Sequence, residues 1–186
     1  DFAHTWRDFL DRLEEVVRSI PESEKVIFRS HYPMDMLTSV SNTAYSSVSS
    51  TGKRVSQLIE RPNTIVFVSG HDHPKSPILE HHGAEKSNGQ FIEAIGADIK
   101  KSPQFEILTV DNGRFVSHKI DADHPNRCIV TYPVPSNQTV MHAFINDENA
   151  KLRILCFSEQ ELKIELHGDL EGEVINEFKL ITSEIL

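Results

Sequence analysis

The sequence has no excess of positive charge, no long apolar run and almost no cysteine. Its 19 lysines and arginines stand against 28 acidic residues, and the net charge of −9 argues against a surface built for nucleic acid or for an anionic membrane. No apolar stretch reaches the roughly 20 residues of a membrane-spanning helix. Two cysteines, Cys128 and Cys156, exclude a disulfide-rich scaffold. One bridge between them is allowed, but we expect two buried thiols on strands.

The length and overall composition are typical of a globular protein with one domain of ordinary size and a smaller one. Of the 186 residues, 38% are apolar and 25% are charged. Residues 121–126, with the sequence DADHPN, are polar and rich in turn-forming residues, so we place the domain boundary there. The prediction is a first domain over residues 1–122 and a second over residues 123–186.

The first seventy residues alternate between helical and strand patterns, which predicts an α/β fold with a parallel sheet covered by helices. Apolar residues at three- and four-residue spacing, from Trp6 to Ile20, indicate one apolar helix face that ends at Pro21. The segments that follow are a strand, a loop rich in Ser and Thr, a helix and a second strand, over residues 25–30, 38–51, 52–61 and 64–69.

Beyond Pro77 the pattern changes to strands alone. In the first domain these are predicted over residues 78–82, 90–95, 105–110 and 114–120, with Asn112-Gly113 as a hairpin turn. In the second domain they are predicted over residues 128–132, 140–145, 152–157 and 162–166. Short strands at this spacing predict an immunoglobulin-like β-module, and so few residues suggest an incomplete one.

Histidines follow two of the predicted parallel strands. His31 comes after the first strand, and His71 and His73 come after the second in a Gly-His-x-His turn. The carboxyl ends of parallel strands meet at one edge, where such sheets bind ligands, and neutral imidazole is a common metal ligand. Gly70 is expected to let the chain turn where a side chain would crowd the site. The pattern therefore predicts that the three histidines converge on metal.

A plainer interpretation stands beside this one, because a His-x-His pair alone is a weak signal and most exposed histidines only contact solvent. His81 and His82 are adjacent on a predicted strand and point to opposite faces, so we expect one exposed and one packed ring. Surface or hydrogen-bonded roles are expected for the histidines without a partner pattern, which are His4, His118, His124, His142 and His167.

Two segments, KVIFRSHYP and TIVFVSGHDH, resemble the last two metal-binding motifs of the calcineurin-like metallophosphoesterases. The helix WRDFLDRLEEVV before them and the strand pair PILEHHG and QFIEAIGAD after them follow that family's order, so the resemblance covers about residues 1 to 121. It implies the C-terminal half of an αββα sandwich that binds two divalent ions, Mn, Zn or Fe. His31 and His71 would ligate one ion and His73 the other. Asp72 would support an imidazole N–H from outside the ligand set.

The sequence also departs from the family. It contains no Asp-x-His and no Asn-His motif, and its only Gly-Asp, Gly168-Asp169, lies in the second domain. We therefore expect the second half of a phosphoesterase domain, inactive alone, that self-associates or packs with the other half. The alternative is a non-catalytic binding or assembly module with vestigial metal ligands.

The segment KLRILCFSEQELKIELHG resembles the immunoglobulin-like module that follows the phosphoesterase domain in proteins of the transmembrane protein sixty-two type. In those proteins membrane helices follow the module. The resemblance implies a phosphate-ester substrate for the intact protein and a membrane anchor outside these residues.

Overall fold

The computed structural model describes residues 7–39, 48–82, 91–111, 113–123, 128–135, 138 and 152–157, which have a mixed α/β fold in which strands predominate. No helix in this part of the chain combines the length and the apolar character needed to cross a lipid bilayer. The elements in chain order are α1 (Arg7–Ser19), β1 (Val26–Arg29), α2 (Met34–Ser39), α3 (Val55–Ile59), β2 (Thr64–Ser69), β3 (Ile78–His82), β4 (Phe91–Ile95), β5 (Gln104–Asp111), β6 (Arg114–Asp121), β7 (Cys128–Tyr132) and β8 (Arg153–Cys156).

Four strands form the central sheet in the spatial order β1-β2-β4-β3. β1 runs parallel to β2, and β2 runs parallel to β4, whereas β3 is antiparallel to β4. The predicted parallel pairing is therefore confirmed for β1 and β2. Because these neighbours run in the same direction, their carboxyl ends open onto one edge of the sheet.

The three helices cover one face of this sheet. Leu10 from α1, Met34 from α2 and Leu58 from α3 pack with Phe67 and Phe91 in one buried cluster. Leu10 and Phe91 are fully buried. Removing a side chain of this size from water contributes about 1.5–3 kcal/mol, so this cluster fixes the helices on the sheet.

The apolar positions of α1 divide into a buried and an exposed set. Leu10 and Val17 are buried, whereas Phe9 is 54% and Val16 is 49% exposed. The spacing predicted one continuous apolar face, and the structure buries only part of it. In the described part of the chain, α1 therefore docks through a narrow stripe.

A β-hairpin covers the opposite face of the sheet. Asp111 of β5 pairs with Arg114 of β6, so the chain reverses at the predicted Asn-Gly turn. Gly113 has a φ of 73°, a conformation that glycine adopts without steric cost. Phe115 of β6 packs against Val66 of the sheet in a second buried cluster.

β7 and β8 form a separate antiparallel pair, and a disulfide joins Cys128 to Cys156. The expectation of two buried thiols is wrong, because the two cysteines lie directly opposite each other in the strand register and are only half-buried. Asp111 links this pair to the hairpin. It accepts a 2.8 Å hydrogen bond from the Thr131 hydroxyl and forms an ion pair with Arg153.

Sequence and structure differ near the predicted Ser/Thr-rich loop. The short helix α2 occupies Met34–Ser39, where the sequence predicts a loop from residue 38. Six residues are too few for apolar periodicity to show. The predicted loop residues 40–47 and the predicted strands over 140–145 and 162–166 lie outside the described residues, as do residues 124–126 of the predicted boundary.

Candidate metal centre

The backbone pairing between β1 and β2 continues past both strands into the histidine turns. The Ser30 N–H donates to the Val68 carbonyl at 2.9 Å, and the Gly70 N–H donates to the His31 carbonyl at 3.1 Å. These bonds fix the backbone at His31 against the turn that begins at Gly70. These backbone bonds therefore keep His31 and the turn that carries His71 next to each other.

The rings of His31 and His71 are in contact at this edge in a T-shaped arrangement. Nδ1 of His71 lies 3.0 Å from Nε2 of His31, and the ring planes are inclined by 78°. Two nitrogen ligands of a tetrahedral zinc, each about 2.0–2.1 Å from the ion, lie roughly 3.3 Å apart. The observed N–N distance is close to this spacing, and it also fits a hydrogen bond between the rings, in which one nitrogen donates and the other accepts. Tyr32 packs against both rings, with centroid distances of 4.9 Å to His31 and 4.3 Å to His71.

The turn after β2 has a strained backbone. His71 has a φ of 63° and His73 a φ of 50°, a left-handed conformation that residues other than glycine adopt rarely. Gly70 is not among the residues with positive φ, and a Cβ there would lie 3.7 Å from the His31 carbonyl oxygen, an ordinary contact. The expectation that Gly70 relieves crowding is therefore wrong. The strain lies in the two histidines, and such strain concentrates at functional sites.

His73 makes a separate set of contacts. Its Nδ1 lies 3.1 Å from Oδ2 of Asp98, and its side chain is 59% exposed. The pKa of Asp98 is lowered first by the backbone N–H of Lys100 and then by the hydrogen bond with His73. An imidazole that donates Nδ1–H to a carboxylate presents Nε2 as a ligand. Asp98, and not the exposed Asp72, is the carboxylate that contacts the His73 imidazole.

The three predicted ligands therefore divide into a close pair, His31 and His71, and a third histidine, His73, that contacts Asp98. His31, His71 and His73 do not bring three ligand atoms within 4.8 Å of one another. His73 follows His71 by two residues in the sequence, and its ring contacts Asp98.

A buried carboxylate connects the two histidine turns. Glu93 on β4 is 1% exposed, and its Oε1 accepts two hydrogen bonds of 2.9 Å, from the Met34 N–H and the Ser69 hydroxyl. Met34 follows the turn that carries His31, and Ser69 precedes the turn that carries His71. Glu93 is thus a positioning residue that ties both turns to the central strand.

Comparisons with protein-family models, with curated protein sequences and with solved structures found no match for this chain. What the chain does must therefore follow from its own residues.

The second oxygen of Glu93 faces His82 on β3. Nε2 of His82 lies 2.7 Å from Oε2 of Glu93, and the ring stacks on Phe91 at a centroid distance of 5.2 Å. The hydrogen bond with Glu93 raises the pKa of His82, while burial opposes this shift. His81 is exposed, so the prediction of one exposed and one packed ring is confirmed.

Sequence reasoning missed both Glu93 and its partners. The signal for Glu93 is one acidic residue inside the otherwise apolar strand Phe-Ile-Glu-Ala-Ile, because a charge in a buried strand needs partners. Of the five histidines that have no partner pattern in the sequence, His118 is partly buried, and burial lowers its pKa. The other four, His4, His124, His142 and His167, lie outside the described residues.

Proposed function

We propose that this chain carries the histidine ligands of a calcineurin-like, metal-dependent phosphoesterase, with His31 and His71 on one divalent ion and His73 on a second. The observation that supports this most is the 3.0 Å approach of His71 Nδ1 to His31 Nε2 beyond two parallel strands. Open α/β sheets bind ligands at such carboxyl edges. Zinc or iron suits the imidazoles themselves, and manganese would take water for its remaining ligands.

The same proposal gives the fold a finer description. Residues 1–122 would form the C-terminal half of an αββα sandwich, and residues 123–186 part of an immunoglobulin-like module. Helices on one face of the central sheet and a hairpin on the other support the first assignment. The separate, disulfide-linked pair of β7 and β8 supports the second.

Two bound ions would polarise a phosphate ester and lower the pKa of the water that attacks phosphorus. The imidazoles of this chain provide ligand positions without negative charge. Two ions about 4 Å apart repel by about 4 kcal/mol for each pair of unit charges at an effective dielectric constant of about 20. Of the carboxylate motifs that would offset this repulsion, Asp-x-His is absent and the only Gly-Asp lies in the predicted second domain. We therefore expect the histidine pair to hold one ion, and the chain alone not to turn over aryl phosphate mono- or diesters.

Phosphate binding distinguishes a phosphoesterase from a site that only binds metal. We expect calorimetry to show Mn²⁺ binding at the histidine pair, so that the number of bound ions falls by one in His71→Ala, and inorganic phosphate that binds only to the manganese-loaded chain. The control His81→Ala removes an exposed imidazole from β3 and should leave both unchanged. Manganese binding without phosphate binding would contradict the phosphoesterase and leave the metal site standing. Manganese binding that His71→Ala does not alter would contradict both.

A second candidate function is a non-catalytic binding or assembly module with vestigial histidines. The observation that favours it is the position of Ile27 on β1, an edge strand of the described sheet. Ile27 is 53% exposed, although its register partner Val66 is buried. Strand edges with apolar side chains attract further polypeptide. Under either function, we expect a second copy or another segment of polypeptide to cover the outer side of strand β1. A chain that associates but binds no manganese would favour the second function.

A further inference from the structure

A second group of metal-type ligands lies on β3 and β4, outside the pair of His31 and His71. Glu80 and Glu93 are direct partners in the antiparallel register, and His82 follows Glu80 by two residues on the same face of the sheet. Nε2 of His82 lies 2.7 Å from Oε2 of Glu93 and 3.9 Å from Oε2 of Glu80. One ligand atom from each of the three residues lies within 4.8 Å of the others.

We infer that Glu80, His82 and Glu93 form a second divalent-metal site, with one imidazole nitrogen and two carboxylate oxygens as ligands. Ligands of a tetrahedral zinc, at about 2.0–2.2 Å from the ion, lie roughly 3.3 Å apart, and the two observed separations lie on either side of this value. The side chain of Glu80 is 52% exposed and that of His82 is 26% exposed. The exposed carboxylate can therefore adjust, and solvent reaches the cluster and could supply a fourth ligand.

The charges of the cluster favour a cation. Glu80 and Glu93 are like charges placed directly opposite each other across an antiparallel pair, an arrangement that is destabilising. With His82 protonated the three side chains carry a net charge of −1, because one cation faces two carboxylates. A divalent ion bound to neutral His82 and both carboxylates gives a net charge of zero. The carboxylate of Glu60 adds further negative potential at His82.

The ligands are also held in place by their neighbours. Oε1 of Glu93 is occupied by the hydrogen bonds from Met34 and Ser69, which leaves Oε2 directed at His82. Stacking on Phe91 fixes the plane of the His82 ring. Partners of this kind orient ligands and typically change metal affinity 10- to 100-fold. The competing explanation is a simple ion pair between His82 and Glu93, which needs neither a metal nor Glu80.

The test uses the full chain with His31→Ala and His71→Ala, so that its result does not depend on the proposed function. We expect calorimetry with Zn²⁺ alone to show one bound equivalent, and added Glu80→Gln or His82→Gln to weaken it at least tenfold. His81→Gln, on the opposite face of β3, is the matched control and should leave the affinity unchanged. Glu80→Gln is the decisive variant, because its exposed carboxylate lies outside the hydrogen-bonded pair and its loss should not unfold the chain.

Three results would overturn the proposed zinc site. No zinc binding by the His31→Ala/His71→Ala chain would overturn the site, and so would zinc affinity that Glu80→Gln does not change. A loss of stability in His82→Gln with unchanged zinc affinity would identify an ion pair only, which also overturns it. If His82→Gln does not fold, Glu80→Gln against His81→Gln still decides.

Discussion

Glu93→Gln tests how the central strand holds the two histidine turns. Glutamine has the shape of glutamate, but an amide replaces the carboxylate. If the amide oxygen takes the place of Oε1, it still accepts from the Met34 N–H and the Ser69 hydroxyl, without the charge. If the amide is reversed, its NH2 group faces these donors. In both orientations His82 loses its anionic partner.

The magnitude follows from the three contacts of 2.7–2.9 Å. A hydrogen bond to a charged group contributes about 1.5–3 kcal/mol and a neutral one about 0.5–1.5 kcal/mol. Removing one partner of a buried ion pair costs about 3–5 kcal/mol, and His82 is partly exposed, which reduces that cost. We therefore expect Glu93→Gln to lower the free energy of unfolding by about 2–4 kcal/mol.

Urea denaturation in the presence of a chelator measures this loss, and Glu80→Gln is its matched control. Glu80 lies directly opposite Glu93 in the strand register and is 52% exposed, so its substitution should change stability by no more than about 0.5 kcal/mol. Hydrogen exchange at the Met34 amide should accelerate in Glu93→Gln alone. Equal stability of the two variants would refute the positioning role, whereas unchanged exchange at Met34 would show that the amide oxygen keeps the bond from the Met34 N–H.

Three further predictions concern other parts of the chain. Replacing Cys128 and Cys156 with Ser opens a bridge between residues 28 positions apart and should cost about 3–4 kcal/mol by chain entropy, measured by urea denaturation; no loss would mean that the bridge contributes nothing. Because the pKa of His82 is raised above 6.5, chiefly by its hydrogen bond with Glu93, its contribution to stability is complete below pH 6.5 and is lost as pH rises through the raised pKa. The stability difference between the metal-free chain and His82→Gln should fall over that window, and a rise would contradict the assignment. Sedimentation velocity should show concentration-dependent association that Ile27→Lys reduces, whereas a chain that stays monomeric at high concentration would refute the exposed-edge prediction.

Elements with a strong local pattern could be predicted from the sequence. The β-branched run at Thr64–Ser69 predicts β2 residue for residue, because its bounds are set by turn residues on both sides. The Asn-Gly dipeptide likewise predicts the reversal between β5 and β6. The position of His31 and His71 at one edge follows from the order of helices and strands. Their distance does not, because it depends on side-chain rotamers and on the hydrogen bonds that extend the β1–β2 pairing.

The contacts that complete the site depend on tertiary pairing, and so the sequence alone could not supply them. Glu93 meets Met34 and Ser69 only because β4 pairs with β2. Asp98 meets His73 only because the chain after β4 returns to the turn, where the Asp98 N–H donates to the Pro74 carbonyl at 2.9 Å. No spacing along the chain encodes these contacts.

The central claim is that His31 and His71 bind the same ion, and nitrogen NMR of the histidine rings tests it most directly. With zinc added to the chain, we expect Nε2 of His31 and Nδ1 of His71 to take the chemical shifts of metal-bound nitrogen. His31→Ala should abolish the shift at His71, and His71→Ala should abolish the shift at His31. Zinc that leaves both rings with the shifts of free imidazole, or that binds one ring without the other, would contradict the account.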